Sequence, residues 1–575
     1  MRFQPINDIA ELCYRKGLNQ VVICPGSRSA PITLAFLRHG EIVCRTFSDE
    51  RSAGFIALGI AQQTKRPCIL ICTSGTAAYN FAPAVAEACF SKTPLLILTA
   101  DRPAEWIGQQ DGQTIYQREI YGKHAKKSFD LPQYYDHPDD RWSINRIIND
   151  AINLMKKHPQ GPVHVNLPFQ EPLYPTHNEE IKSSESVRII NEQHPILYLS
   201  DGHQKTLLKD ISTFHNVLVV AGQSSYDHGL VGVLEEYSTQ KDIPIVGDIT
   251  SNLHANKKLI KHADLFLAQA PQGVKKSLQP DLLITIGDGI LSKNIKLFLR
   301  QHNPRAHWHI TASNNFCDTF QHLTSVIHTS PAILFSHLST APNGETFERQ
   351  KQKNYFNLWE IEERRTTRTL SNFFPHGDLG EFELVNEILK SLPKNSILHL
   401  ANSMSVRYAN FVGLSDDQPG VQVYSNRGTS GIEGCTSTSV GHSFESDKMN
   451  VLITGDMAFF YDRNAFWHNH PLPNLRIVLL NNHGGAIFRM IDGPNDLPEG
   501  AEYFITEQRL NAKNLCAEFG IDRIVIDHRR KIKNALKDFF EESPNPKLLE
   551  IEVNTNHSKI TYDNFKLHLR KNYEQ

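Results

Sequence analysis

The chain has 575 residues, a formal net charge of −2, 40% apolar residues and 21% charged ones. That length exceeds what one hydrophobic core serves and implies roughly two to four domains. The near-neutral balance gives no electrostatic reason to expect nucleic acid or an anionic membrane as partner. The amino terminus, MRFQPINDIAELC, lacks the apolar core and cleavage site of a secretory signal, and no apolar run is long enough to span a bilayer. A cytoplasmic protein without membrane insertion is therefore expected.

The first third alternates helix and strand signals. Residues 7–16 read as a helix, 21–24 as a strand, and PGSRSAP (25–31) as a turn into a second helix. A strand at 43–47 leads through Asp49, Glu50 and Arg51 into a small-residue helix at 52–64. Strands at 68–72 and 95–99 end in TSGTAAYN and ADRP. Strand, loop and helix repeated at this spacing predict a parallel, doubly wound sheet. Each polar loop follows a strand, so all are expected at one sheet edge.

A further α/β domain is expected between residues 196 and 339, with VLVVAG, DLFLAQ and DLLITIGD as strand candidates. Polar stretches at 175–188 and 341–354 read as linkers on either side. The last third opens with a charged helix at 357–370 and has strands ending at Ala401-Asn402-Ser403, Tyr424-Ser425-Asn426 and Thr454-Gly455-Asp456. The fold class is α/β, with three doubly wound parallel-sheet domains at 1–185, 186–355 and 356–575. The nine cysteines form no CxxC pair and are read as reduced. The 27 histidines include no HExxH. His307 and His309 share a strand face, where a core or solvated pair outranks a metal site.

The most informative stretch is 451–489. An apolar run at 451–454 stops at Gly455-Asp456, and a second at 475–480 stops at Asn481-Asn482-His483-Gly484-Gly485. If the two strands are parallel neighbours, Asp456 and Asn482 meet at a carboxyl edge, where open α/β sheets bind ligands. A carboxylate, an amide oxygen and the Gly484 carbonyl are hard oxygen ligands suited to Mg²⁺, completed by diphosphate and water. Either tip alone is an ordinary turn; the pair, 26 positions apart, is more specific. Gly287-Asp288-Gly289 competes with it, since Asn314-Asn315 lies 26 positions beyond Asp288. That second pair lacks a glycine pair after it, and the later site is preferred.

Among single residues, Glu50 follows a strand and opens a helix rich in Ala and Gly. Position alone favours a plain helix-terminus acid. The small side chains that follow let another helix or a ligand approach closely. Arg28, Arg102, Arg407 and Arg427 each stand beside one of the loops above. A single arginine there reads as a surface ion pair; four together suit carboxylates.

The Asp456 to Asn482 stretch resembles the diphosphate and metal motif of thiamine diphosphate enzymes, which begins GDG and ends NN, with Met457 here in place of the last glycine. The further motifs PGSRSAP, SDERSAGFIALG, TSGTA, ADRP, YSNRGTSGIEG and NNHGGAIF resemble the 2-succinyl-5-enolpyruvyl-6-hydroxy-3-cyclohexene-1-carboxylate synthase family of menaquinone biosynthesis. The likeness runs in order through both outer domains and is weaker over the central one. It implies thiamine diphosphate with Mg²⁺ or Mn²⁺ as cofactors. Glu50 is then the residue that contacts the aminopyrimidine ring and promotes its imino tautomer, while Asp456, Asn482 and Gly484 hold the metal.

Ser430, Ile432, Gly455, Ile487 and Phe488 border the cofactor on this reading, Ile432 from beneath the thiazolium. Core packing is the plainer role for the two isoleucines. The family decarboxylates 2-oxoglutarate and adds the succinyl unit to isochorismate. Ser27, Arg28, Arg102, Gln113 and Lys293 fall on the isochorismate side, and Asn402, Ser403, Arg407 and Arg427 on the 2-oxoglutarate side. The resemblance also implies active sites shared across a homodimer, or a homotetramer of such dimers. Three alternatives remain open at this point: another thiamine diphosphate carboligase of the acetolactate synthase type, a 2-oxo acid decarboxylase, or a non-catalytic nucleotide-binding α/β protein.

Overall fold

The computed structural model describes residues 3–176, 181–193, 198–313, 316–340, 346–374, 380–490, 493 and 497–574. The competing Asn314-Asn315 pair lies outside the described residues. Among the described residues eighteen strands form three six-stranded sheets, and every strand pair there is parallel.

The first sheet holds β1 (Gln20–Ile23), β2 (Val43–Thr46), β3 (Cys68–Cys72), β4 (Leu95–Asp101), β5 (Ser128–Asp130) and β6 (Val163–Pro168) in the order β2-β1-β3-β4-β6-β5. The second holds β7 (Val217–Ala221), β8 (Ile245–Gly247), β9 (Leu259–Ile260), β10 (Leu282–Ile286), β11 (Ala306–Thr311) and β12 (Ser325–His328) in the order β12-β11-β10-β7-β8-β9. The third holds β13 (Ile397–Leu400), β14 (Gln422–Tyr424), β15 (Asn450–Gly455), β16 (Leu475–Asn481), β17 (Asp522–Ile526) and β18 (Lys547–Glu552), ordered β14-β13-β15-β16-β18-β17. Counted within each sheet, the first and third share one strand order. The central sheet, read from β9, has the 3-2-1-4-5-6 order of dinucleotide-binding folds.

The central strands β3, β4, β7, β10 and β16 are buried along their whole length, as parallel strands covered by helices on both faces must be. The outer domains share a core. Phe55, Ile56 and Ile60 of the first pack in one cluster with Val440, Leu452 and Phe466 of the third. At its centre the helix Glu50–Thr64 crosses the helix Cys435–Phe444. A Cβ on Gly59 would stand 2.1 Å from the Thr438 carbonyl oxygen, and one on Gly441 would stand 2.1 Å from that of Ile56. The small residues expected to admit a neighbour after Glu50 therefore admit another helix.

Two expectations are corrected. DLFLAQ is not a strand: Ala263–Gln269 is a helix that turns Phe266 against Trp359, an outcome that a six-residue apolar run does not distinguish from a strand. The stretch 341–354 is not wholly a linker, because a helix spans Thr346–Phe373 and seats Tyr355 and Trp359 in the central core. Its polar start misled because only one helix face is apolar. His307 and His309 flank Thr285 Oγ1 at 2.9 Å each, a polar pair inside the sheet. All nine cysteines are free thiols.

Candidate active site

Strands β15 and β16 are adjacent, with Gly455 in register with Leu480. Asp456 and Asn482 therefore leave the same sheet edge side by side. Asp456 is the first residue of the helix Asp456–Tyr461, 1% exposed, and its carboxyl is pushed upward by burial. Its Oδ2 accepts from Gln508 Nε2 at 2.5 Å. Asn482 donates from Nδ2 to Glu381 Oε1 at 2.6 Å, and its Oδ1 accepts from the Gly484 amide at 3.2 Å. Asn481 points elsewhere, donating to Glu550 Oε1 and the Leu510 carbonyl at 3.0 Å each. Of the two asparagines, the second alone offers its side chain to the loop.

Gly484 has φ of +157°, and a Cβ there would meet the Ile505 carbonyl oxygen at 2.9 Å. Its own carbonyl accepts from Ala486 N at 3.0 Å and keeps a second lone pair. His483, at φ +60°, turns outward and pairs with Glu552 at 3.1 Å. Ile487 packs on the third-domain core and Phe488 on Phe504, with centroids 6.0 Å apart. Ile432 packs on Ala401, Cys435 and Ala458, a platform of small residues beneath it. No group of three His, Cys, Asp or Glu side chains able to hold a metal occurs among the described residues. The oxygen set of Asp456, Asn482 and Gly484 is of another kind, one carboxylate with an amide and a carbonyl, and fits a hard divalent cation carrying diphosphate oxygens.

The loop 426–434 is stapled by a residue that sequence reasoning missed. Glu87, fully buried on the first-domain helix Ala82–Phe90, accepts from the amides of Gly428 and Thr429 at 2.8 and 2.6 Å and from Thr429 Oγ1 at 2.8 Å. An acid inside an Ala-rich helix carries no sequence signal of a partner 341 positions away. Asn402 ties the same loop to β13: Nδ2 donates to the carbonyls of Asn426 and Gly431 at 2.7 and 2.6 Å, and Oδ1 accepts from Arg427 at 2.8 Å. Ser403 and Ser430 hold positive φ of 75° and 63°, conformations that persist where surroundings impose them.

Arg407 donates to the Ser403 carbonyl at 2.5 Å and Arg427 to Asn402, and neither forms a recorded ion pair among the described residues. Burial lowers the proton affinity of both, and Arg407 lowers that of Arg427 further. Lys296, on the central-domain helix Lys293–Gln301, is half-buried and feels Arg427 directly, with Asp248 and Asp264 as partial counter-charges. Lys293, the residue singled out from sequence, is exposed at the start of that helix. Lys296 belongs to a domain seam sealed by Gln223 Nε2 on the Ser425 carbonyl and by Asn252 on both backbone groups of Val423.

At the first sheet's edge, Arg28 is buried and donates to the Phe169 carbonyl and to Glu171 at 2.9 and 3.0 Å. Arg102 reaches the Gly112 carbonyl at 2.8 Å and Glu171 at 3.9 Å. Ser27 is exposed beside them, and Gln113, at φ +57°, packs its backbone against Gly75 of TSGTA. Glu50 is half-buried and takes one long bond, from Asn80 at 3.4 Å. Its neighbours Asp49 and Arg51 are tied within the chain to Asn464 and the Tyr461 carbonyl. The competing Asp288 is bound in an ion pair by Lys92.

Family models described as the N-terminal TPP-binding domain of thiamine pyrophosphate enzymes and the middle domain of thiamine pyrophosphate match residues 6–123 and 199–400. The chain is 42% identical over 99% of its length to the whole of the 2-succinyl-5-enolpyruvyl-6-hydroxy-3-cyclohexene-1-carboxylate synthase of Cytophaga hutchinsonii. It is 34% identical to the proteins of that name from Bacteroides thetaiotaomicron (96% of each chain) and Flavobacterium johnsoniae (94% of this chain, 95% of the relative). With three parallel α/β domains, paired metal-type loops and likeness over the full length, this chain belongs to the 2-succinyl-5-enolpyruvyl-6-hydroxy-3-cyclohexene-1-carboxylate synthase family of thiamine diphosphate enzymes.

Proposed function

We propose that the protein decarboxylates 2-oxoglutarate and adds the resulting succinyl unit to isochorismate, giving 2-succinyl-5-enolpyruvyl-6-hydroxy-3-cyclohexene-1-carboxylate and CO₂ in menaquinone biosynthesis. The observation that carries this reading is the half-buried cationic group Arg407, Arg427 and Lys296, which is too rich in charge for small neutral acceptors. Guanidinium forks without a carboxylate partner fit the two carboxylates of 2-oxoglutarate.

Bound thiamine diphosphate supplies the electron sink that accepts the pair left when CO₂ departs. Asp456, Asn482 and Gly484 hold its diphosphate through Mg²⁺ or Mn²⁺. Ile432 supports the thiazolium side, while Ser430, Gly455, Ile487 and Phe488 close the pocket around it. Glu50 exchanges a proton with the pyrimidine ring nitrogen. Asn402 and Ser403 fix the backbone from which Arg407 and Arg427 reach the 2-oxo acid. Ser27, Arg28, Arg102, Gln113 and Lys293 receive isochorismate, with Glu171 yielding the two arginines to its carboxylates.

No residue of the third domain hydrogen-bonds the Glu50 carboxylate among the described residues. This supports a homodimer whose two chains complete each site, alone or paired as a tetramer. No helix among the described residues is long and apolar enough to cross a membrane, in keeping with the cytoplasmic setting proposed for the enzyme.

The test is CO₂ release from 2-oxoglutarate with thiamine diphosphate and Mg²⁺, with and without isochorismate, with the product followed by mass. Isochorismate-dependent formation of the succinyl product is expected. CO₂ release without that product would point to another acceptor.

A further inference from the structure

Asn482 can serve a cation only through its oxygen, so the amide must be held the right way round. Glu381 lies against it. It is the first residue of the helix Glu381–Lys390, is 2% exposed, and anchors its own amide on Ser558 Oγ at 3.1 Å. Its Oε1 accepts the 2.6 Å bond from Asn482 Nδ2, and its second oxygen is buried with the Tyr408 hydroxyl against the carboxyl. The amide is held one way round from both ends, its nitrogen on Glu381 Oε1 and its oxygen on the Gly484 amide.

We propose that Glu381 is a positioning residue for the metal loop: by taking the Asn482 nitrogen it fixes the Asn482 oxygen toward the divalent cation. This rests on the reading that Asp456 and Asn482 hold that cation. Partners of metal ligands act in this way elsewhere, and losing one weakens metal affinity about 10–100-fold. In Glu381→Gln the new side-chain amide presents both a donor and an acceptor, so Asn482 can turn over and offer nitrogen to the metal.

The experiment measures the apparent Mg²⁺ dissociation constant of the full chain from Mg²⁺-dependent thiamine diphosphate binding by calorimetry. Glu381→Gln is expected to raise it about 10-fold or more. Asn482→Asp alone also raises it, because two carboxylates then face each other. The double variant Glu381→Gln/Asn482→Asp is expected to return within about 3-fold of the unaltered protein, since the glutamine amide donates to one carboxylate oxygen and the other faces the cation. Glu383→Gln, a buried acid two positions on, should leave the constant unchanged.

Unchanged affinity in Glu381→Gln, a double variant no better than the weaker single one, or an equal loss in Glu383→Gln would each overturn the proposal. Asp456→Ala separates the two readings. If it keeps full Mg²⁺ dependence, the metal site itself is misplaced; if it loses it while Glu381→Gln does not, the positioning role alone fails.

Discussion

Gly287-Asp288-Gly289 and Gly455-Asp456-Met457 both stand at the carboxyl end of a parallel strand buried over all or nearly all its length, β10 or β15, and by letters the first is the better metal motif. Their surroundings separate them. Asp288 is 38% exposed and neutralised by Lys92 from the first domain. Asp456 is sealed at 1% exposure, beside a strand whose tip delivers Asn482 and Gly484, with Glu381 behind the asparagine. On the proposed reading, the Asp456 tip serves a cation because the next strand brings a second oxygen donor, Asn482, to the same edge. In the central sheet the neighbouring tip, Gln223 after β7, is already engaged: its carbonyl accepts from the Asp288 amide at 2.8 Å and its Nε2 donates to the Ser425 carbonyl at 3.1 Å.

The largest effect should separate the two aspartates outright. Asp456→Ala is expected to lower Mg²⁺-dependent cofactor affinity by about 100-fold or more, the several kcal/mol that a metal's charge stabilisation represents. Asp288→Ala should leave it within about 2-fold, which corresponds to under 1 kcal/mol. Calorimetric titration of both variants decides it, and the reverse ranking would hand the metal to the central sheet.

The next test concerns what reaches each edge from the first domain. Glu87 and Lys92 lie five positions apart, yet Glu87 is buried under the site loop and Lys92 is exposed beside Asp288. Glu87→Ala strips the acceptor from two backbone amides, at about 1–3 kcal/mol each. It should lower the unfolding free energy by roughly 2–5 kcal/mol and, by loosening Arg427, reduce kcat/KM up to about 100-fold. Denaturant melts and steady-state kinetics on 2-oxoglutarate measure both. Retained stability and kinetics would make the staple incidental.

These contrasts mark what the sequence could say. Strand-loop-helix spacing marked the parallel sheets and the edges they carry, Glu50 at the first sheet and Asp456 with Asn482 at the third, because period and turn chemistry are local. Glu87, Glu381 and Lys296 were illegible: each acts through a partner at least 101 positions away or across a domain seam. Residues 263–269 misled because a short apolar run is equally a buried strand or a buried helix turn. The four arginines were legible beside their loops, but not their division into two pairs, Arg28 and Arg102 around Glu171 and Arg407 and Arg427 beside Ser403 and Asn402.

Acid sharpens the comparison of the sheets themselves. In the third, His399 is held down to about 4 by burial, and His442, 4.7 Å from it between centroids, lies well below its ordinary value for the same reason. In the central sheet, His307 falls to about 4 and His309 is lowered less. Each is neutral when folded and protonates near 6.5 when unfolded. The stability that His399 and His307 contribute is thus complete above pH 6.5 and is lost progressively as the pH falls toward 4, at about 1.4 kcal/mol per pH unit for each, and His442 and His309 act in the same direction. Thermal melts from pH 7.5 to 5 should show that decline. His399→Gln should flatten it for the outer domains, and an unchanged slope would remove His399 as a source.

The smallest effect expected is at Lys92 itself. The Lys92–Asp288 pair joins side chains 41% and 38% exposed, so water screens the attraction and two mobile chains lose freedom in forming it. Lys92→Ala should change the unfolding free energy by less than about 1 kcal/mol, and that difference should shrink further between 0.05 and 0.5 M salt. Cofactor affinity should not move, because the oxygen donor beside the freed Asp288, the Gln223 carbonyl, is already taken by the Asp288 amide. A gain of Mg²⁺ binding in Lys92→Ala would mean that the lysine had been occupying a latent cation site. The distinction between the two Gly-Asp edges would then rest on one exposed side chain rather than on strand pairing.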